Sequence, residues 1–201
     1  MSKTEETSSD AYQIKITLAG SKPPIWRRFV APANITLDRL HDLVQVVMGW
    51  TDSHLHAFYV GEKQYTTKRR DGIDLDVDGH DERKFRLCDV APAPKSKVRY
   101  EYDFGDSWEH LLLVEKIIPP AEKPPLYCCL TGEGQCPPED CGGIWGYYHL
   151  LEVLGNPKDE EHADMLEWTG GPIDPAEFDL EEINKSLVFF RTKGKRTWIR
   201  E

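Results

Sequence analysis

The strongest constraint on the fold is a change of hydrophobic period near residue 36. Upstream of it, Tyr12, Ile14, Ile16 and Leu18 alternate with Gln13, Lys15 and Thr17, the period of two that marks a strand with one buried face. A Gly-Ser-Lys-Pro-Pro turn follows, and Ile25 to Val30 predicts a second strand, with Trp26, Arg28 and Val30 on one side and Ile25, Arg27 and Phe29 on the other. Past residue 36 the spacing becomes helical. Leu37, Leu40, Leu43, Val44, Val47 and Met48 recur three and four apart as one stripe, Thr36 stands at the cap position, and Gly49 supplies a stop.

Alternation then returns. Ala57 to Val60 and a short partner at Gln64 to Thr66 predict a hairpin turning at Gly61-Glu62, and the acidic stretch Asp71 to Arg83 reads as a long surface loop. Val98 to Phe104 and Trp108 to Ile117, aromatic and β-branched, predict paired strands joined at Gly105-Asp106. The prolines from Pro119 to Pro125 end that unit. Beyond the cysteine-rich segment, Trp145, Tyr148, Leu151 and Leu154 fit a helix stopped by Gly155-Asn156-Pro157. A last helix has two candidate starts, Asp174-Pro175 with Glu177 and Asp179 with Glu182, and either one buries Ile183 and Leu187.

This order predicts an α+β fold: a mixed β-sheet with a β-grasp-like core (strand, strand, helix, strands) and added C-terminal helices. In domain terms, residues 1–11 read as a disordered tail and 12–190 as a single domain, with sheet and helix at 12–118, a Pro/Cys loop at 119–143 and a helical layer at 144–190. Residues 191–201 form a basic tail. With 201 residues the chain is long enough for a real core.

Charge narrows the partners. The formal net charge of −10 sets up a field that repels polyphosphate. Nucleic-acid binding would need a local basic patch, and the candidates, Lys68-Arg69-Arg70 and the tail of Arg191, Lys193, Lys195, Arg196 and Arg200, read as solvated surface. No apolar run approaches the ~20 residues of a membrane span. The polar, acidic start MSKTEETSSD lacks the build of a signal peptide, so a soluble cytoplasmic protein with no membrane partner is expected. In that compartment the five cysteines stay reduced, which favours a metal site, a reactive thiol or plain core packing over a disulfide framework.

Two segments concentrate groups that can do chemistry. YEYDFGDSWEH, residues 100 to 110, holds Asp103, Asp106 and His110 as candidate catalytic residues, His110 being either a general base or metal ligand oriented by a carboxylate, or a buried histidine bonded to one. His54 and His56, two apart before a predicted strand, share a direction if the segment is extended; with His110 they make a nitrogen set suited to zinc or another divalent metal. CCLTGEGQCPPEDCGG, residues 128 to 143, offers Cys129, Cys136 and Cys141 as a separate structural zinc site, against the alternative of a tight proline-fixed loop in which Glu139 and Asp140 cap the helix from Ile144. The triplet Asp103-Phe104-Gly105 matches a kinase magnesium motif, but the glycine-rich loop and H-R-D segment of that fold are missing.

PPIWRRFVAP, TLDRLHDLVQVVMGW, HLHAFYVG, YEYDFGDSWEH and CPPEDCGG, in this order, closely resemble the plasmid pRiA4b ORF-three-like family across about residues 12 to 190. The resemblance implies a small prokaryotic domain, often encoded near plasmids and mobile elements, with no established activity. Cys128 beside Cys129 departs from the family pattern, which carries one cysteine there. Two functions compete, and neither assigns an enzyme class firmly. The first is a non-catalytic binding module that holds a protein or nucleic-acid partner on an aromatic rim of Trp26, Trp50, Tyr102 and Trp108. The second is a metal-dependent hydrolase, directed at phosphodiesters, in which His54, His56 and His110 hold the ion while Asp103 or Asp106 activates water.

Overall fold

The computed structural model describes residues 10–70, 73–122 and 124–193. Its centre is an eight-stranded sheet. The predicted first pair is present as β1 (Ala11–Leu18) and β2 (Trp26–Pro32), and the central hairpin as β8 (Lys97–Tyr102) and β9 (Trp108–Ile118). Between them in sequence lie β3 (His56–Val60), β4 (Lys63–Thr66), the small pair β5 (Arg69–Arg70) and β6 (Ile73–Asp74), and β7 (His80–Asp81). After the hairpin comes β10 (Cys128–Glu133), and the sheet order is β10-β2-β1-β9-β8-β3-β4-β7. All its ladders are antiparallel except β4 with β7.

One face of the sheet is packed and the other is wet, as antiparallel sheets allow. Tyr12, Ile14, Ile16 and Leu18 point inward, as do Val98, Tyr100 and Tyr102, and Trp108, His110, Leu112 and Val114. The outer face is held by polar pairs. Arg28 forms a two-point ion pair with Glu115, at 2.6 and 2.9 Å, and Arg99 reaches Glu109 at 2.7 Å.

The packed face is covered by α1 (Leu37–Met48), whose predicted stripe is fully inside: Leu37, Leu40, Leu43, Val44 and Val47 are all 0 % exposed. Each such side chain contributes about 1.5–3 kcal/mol relative to leaving it in water. Gly49 ends the helix at φ 105°, a backbone region that suits glycine, and its N–H bonds the Gln45 carbonyl. Thr36 occupies the cap position without capping through its side chain. The Leu37 N–H instead meets the Phe85 carbonyl, because residues 35–37 run beside the chain that enters α2 (Leu87–Val90).

Several regions differ from the sequence-based expectation. The Pro/Cys loop contains β10, which joins the sheet beside β2. The expected surface loop at 71–83 carries β6, β7 and a short 3₁₀ turn over Glu82–Lys84 whose first residue is buried. In α3 (Gly143–Gly155) the buried stripe is Gly143, Tyr147, Leu150 and Val153, one step out of phase with the expected one, and Trp145 is 83 % exposed. Close packing of Gly143 on the Asp106 carbonyl sets this phase, since a Cβ there would lie 2.3 Å from that oxygen. A short helix, α4 (His162–Trp168), was not anticipated. For α5 (Leu180–Lys193) the later start is used: Asp179 Oδ1 accepts the Glu182 N–H at 2.9 Å. Most of both expected tails, residues 1–9 and 194–201, lies outside the described residues, as do the side chains of Arg69 and Arg70.

Candidate functional site

The inner face of α1 is not purely apolar. His41 and Gln45, one turn apart, are both 0 % exposed. His41 Nδ1 lies 2.8 Å from the Tyr100 hydroxyl and Nε2 lies 2.8 Å from Asp52 Oδ1. The Gln45 amide donates to the same tyrosine at 2.9 Å, and its oxygen accepts the Asp52 N–H at 2.8 Å. Two helical side chains therefore clamp the loop that follows α1, holding Asp52 at φ 56°. Beneath them the His56 ring stacks on His41, centroids 3.4 Å apart and planes 2° from parallel, and His56 Nε2 lies 2.7 Å from Glu82 Oε2. His41, Asp52 and His56 bring ligand-type atoms within 4.8 Å of one another, but all three are buried. Stacked rings aim their lone pairs side by side rather than at one point, so this layer suits hydrogen-bonded histidine–carboxylate pairs that position the loop above.

That loop delivers His54 to the surface. Tyr102 accepts the Ser53 N–H at 2.9 Å, and its own O–H donates to Glu139. Burial, reinforced by Glu139, holds this phenol well above the usual tyrosine range. His54 then sits between two carboxylates, with Nδ1 3.5 Å from Asp103 Oδ2 and Nε2 3.2 Å from Asp140 Oδ1. Asp103 has φ 57° and accepts the Gly105 N–H at 2.9 Å, which fixes the β8–β9 turn. Asp106 accepts the Gly142 N–H at 3.0 Å, tying that turn to the segment before α3. Three loops, separated widely in sequence, thus converge on one imidazole and two acids.

His54, Asp103 and Asp140 form the second set with ligand-type atoms within 4.8 Å of one another, running from buried Asp103 to an Asp140 side chain that is 70 % exposed. Atoms sharing an ion at about 2.0–2.2 Å lie no more than about 4.4 Å apart, so a small contraction would seat one. Beside it, between α3 and α4, lies a cleft of about 340 Å³ lined by Asp140, Cys141, Leu150, Met165 and Trp168 among others.

The other sequence candidates are distributed differently. His54, at a bend, and His56, in β3, do not share a direction, and no group of three ligand-type residues among those described contains both. His110 is 1 % exposed, packed against Tyr100 and Trp50, with neither ring nitrogen hydrogen-bonded; burial pulls its pKa down to about 4. Nor does the expected aromatic rim face solvent. Trp50, Tyr102 and Trp108 are at most 2 % exposed because they fill the end of the core under the three loops, while Trp26 bonds Glu133 on the outer face. Cys129, Cys136 and Cys141 belong to no ligand-type group among the described residues, and burial raises all three thiols, Cys129 to about 11 and Cys141 to about 12. Sequence reasoning misses His41, Gln45, Asp52 and Glu82; it places Glu139 and Asp140 in a chemistry-bearing segment but assigns them no role beyond capping a helix. The one signal for the first two was two polar residues, four apart, flanking an otherwise apolar stripe.

A family model described as plasmid pRiA4b ORF-3-like protein matches residues 10–182. The chain belongs to that family. Every residue of the pRiA4b ORF-3-like site named above, from His41 to Asp140, falls inside the match. A relative in Sinorhizobium fredii, titled uncharacterized protein y4hQ, is 38 % identical over 187 residues, covering 92 % of this chain and 94 % of its own length. Among solved structures, a Methanosarcina mazei Go1 protein of unknown function, MM3350, superposes with a TM-score of 0.75 at 34 % identity, covering 87 % of this pRiA4b ORF-3-like chain and 98 % of that one.

Proposed function

We propose that this protein acts through a divalent metal ion held by His54, Asp103 and Asp140, and that the bound ion serves hydrolysis. The observation that supports the reading is the convergence itself: one imidazole and two carboxylates, from three separate loops, meet with the exposed Asp140 on their outer side. Nitrogen with two carboxylate oxygens suits zinc or manganese. Three protein ligands leave a coordination position free, and an ion so held lowers the pKa of its water toward neutrality. The chain's own part is to aim the ligands. Asp103 is fixed by its turn, His54 by the Tyr102 and Asp52 contacts behind it, and Asp140 by the segment tied to Asp106. The neighbouring cleft, which shares Asp140, offers room for the substrate.

The test is isothermal titration of chelator-treated protein with zinc and manganese, paired with hydrolysis of bis(4-nitrophenyl) phosphate, a generic phosphodiester. One ion per chain, with binding and turnover both lost in His54→Ala and in Asp103→Asn, is the expected result. Ion binding that survives both substitutions, or none at all, refutes the site. Binding without turnover of this or simpler esters removes hydrolysis and leaves a metal-dependent binding module.

A further inference from the structure

A second cavity, of about 280 Å³, lies between the end of α1, the segment after β10 and the start of α5. It shares no residue with the His54 site. Its wall contains Arg27, which is only 3 % exposed. The Arg27 Nη1 is spent on two main-chain carbonyls, Trp26 at 2.9 Å and Glu133 at 2.8 Å, and the guanidinium lies 4.8 Å from the centre of the Phe178 ring. These contacts fix the group in place but do not neutralise it. No ion pair to a described carboxylate is formed, and Nε–H is buried without an acceptor. Burial lowers the pKa of this side chain, yet an arginine stays charged in any protein setting. A buried charge without a counter-charge is costly, so an anionic group bound here would relieve it.

The same cavity holds the complementary defect. Gln135 Oε1 is buried and has no donor. Arg27 and Gln135, both in the cavity wall, thus each carry one buried polar atom without a partner, and the two do not bond each other. Glu177, Asp179 and Glu182 stand at its α5 end, a setting that disfavours a purely anionic guest and favours one whose outer end is positive. Met48 and Ile183 supply apolar surface between. The volume of about 280 Å³ lies just below the usual range for ligand pockets, about 300–1,000 Å³, which limits the guest to a small metabolite.

We propose that this cavity binds a small zwitterion of the α-amino-acid type with a short aliphatic side chain, its carboxylate on Arg27 and its ammonium group toward Gln135 and the acidic end. The test is calorimetric titration of the full chain, in the presence of chelator, with L-alanine, L-valine and L-leucine. Two truncated forms of valine serve as controls: 3-methylbutanoate, which lacks the amine, and 2-methylpropylamine, which lacks the carboxylate. At least one amino acid should bind, with each truncated form of valine about tenfold weaker or worse, since each leaves one buried group unmet. Gln135→Leu should weaken the amino acid while sparing 3-methylbutanoate, and Arg27→Lys should abolish both because lysine keeps the charge but not the Nε–H fork. No binding by any of the three amino acids at about 10 mM, where a site of about 1 mM Kd would saturate, overturns the proposal. Equal binding of 3-methylbutanoate and valine overturns it too.

Discussion

His110 makes the acid stability of this fold calculable. Its ring is 1 % exposed and meets no hydrogen-bond partner, and burial holds its pKa near 4, against about 6.5 for an unfolded histidine. At pH 7.5 and above the residue is almost wholly neutral in both states and contributes little to the pH dependence. As pH falls through about 6.5 the unfolded chain takes up a proton that the folded chain refuses, so stability is lost through the window from 6.5 down to about 4. The full loss is about 3 kcal/mol, of which about 2 kcal/mol has appeared by pH 5. Urea unfolding of the wild-type chain and of His110→Leu, at pH 7.5 and pH 5, isolates this contribution, because every other titrating group is common to both. The variant should be at least as stable as wild type at pH 7.5, since it removes buried polar atoms that lack partners. It should lose about 2 kcal/mol less on acidification. Parallel losses in the two proteins would refute the reasoning, because they would place a proton or a hydrogen bond on the folded imidazole.

Other expectations follow from the site and the core. His41→Phe removes the ring's hydrogen bonds to Asp52 and Tyr100 and should cost about 1–3 kcal/mol in urea unfolding; the loosened loop should also weaken metal binding at His54, read by titration. In Gly143→Ala the new Cβ would lie 2.3 Å from the Asp106 carbonyl at φ 67°, and a cost of about 1–3 kcal/mol is expected together with a weaker metal isotherm, although no ligand is touched. Leu43→Ala, at the centre of the α1 stripe, should cost about 2–5 kcal/mol without changing the metal isotherm at temperatures where the protein stays folded. Cys136→Ser and Cys141→Ser should each leave the metal-induced rise in Tm intact; its loss in either would reinstate a thiolate site.

Period alone was enough to locate β1, β2, the β8–β9 hairpin and the apolar stripe of α1, because in each of these most buried residues are apolar, with Arg27 in β2 and His110 in β9 the exceptions. It failed where polarity and burial part company. His41 and Gln45 score as solvent-facing on any hydrophobicity pattern, yet both are fully buried by partners, Asp52 and Tyr100, that lie 11 and 55 residues away from one or the other. Glu82 was assigned to a surface loop for the same reason. β10 was obscured by its cysteines and by Gly132, whose bare backbone lies against the Trp26 carbonyl. In α3 the packing of one glycine, not the apolar spacing, chose which side faces in. At the candidate site Asp103 and His54 were legible as chemistry-bearing types, but their pairing with Asp140 depends on how three loops close together, and no local pattern encodes that.

The polar pair on the inner face of α1 also limits how the helix can sit. An all-leucine seam would let a helix roll or slide on a sheet at modest cost, trading one apolar contact for another. His41 and Gln45 remove that freedom: a roll of one residue, about 100°, would carry both away from Tyr100 and Asp52 and break four buried hydrogen bonds at once. The helix behaves as a keyed shaft, and the key is cut on the side nearest the loop that carries His54, so the angular setting of α1 is passed directly to the position of the surface imidazole.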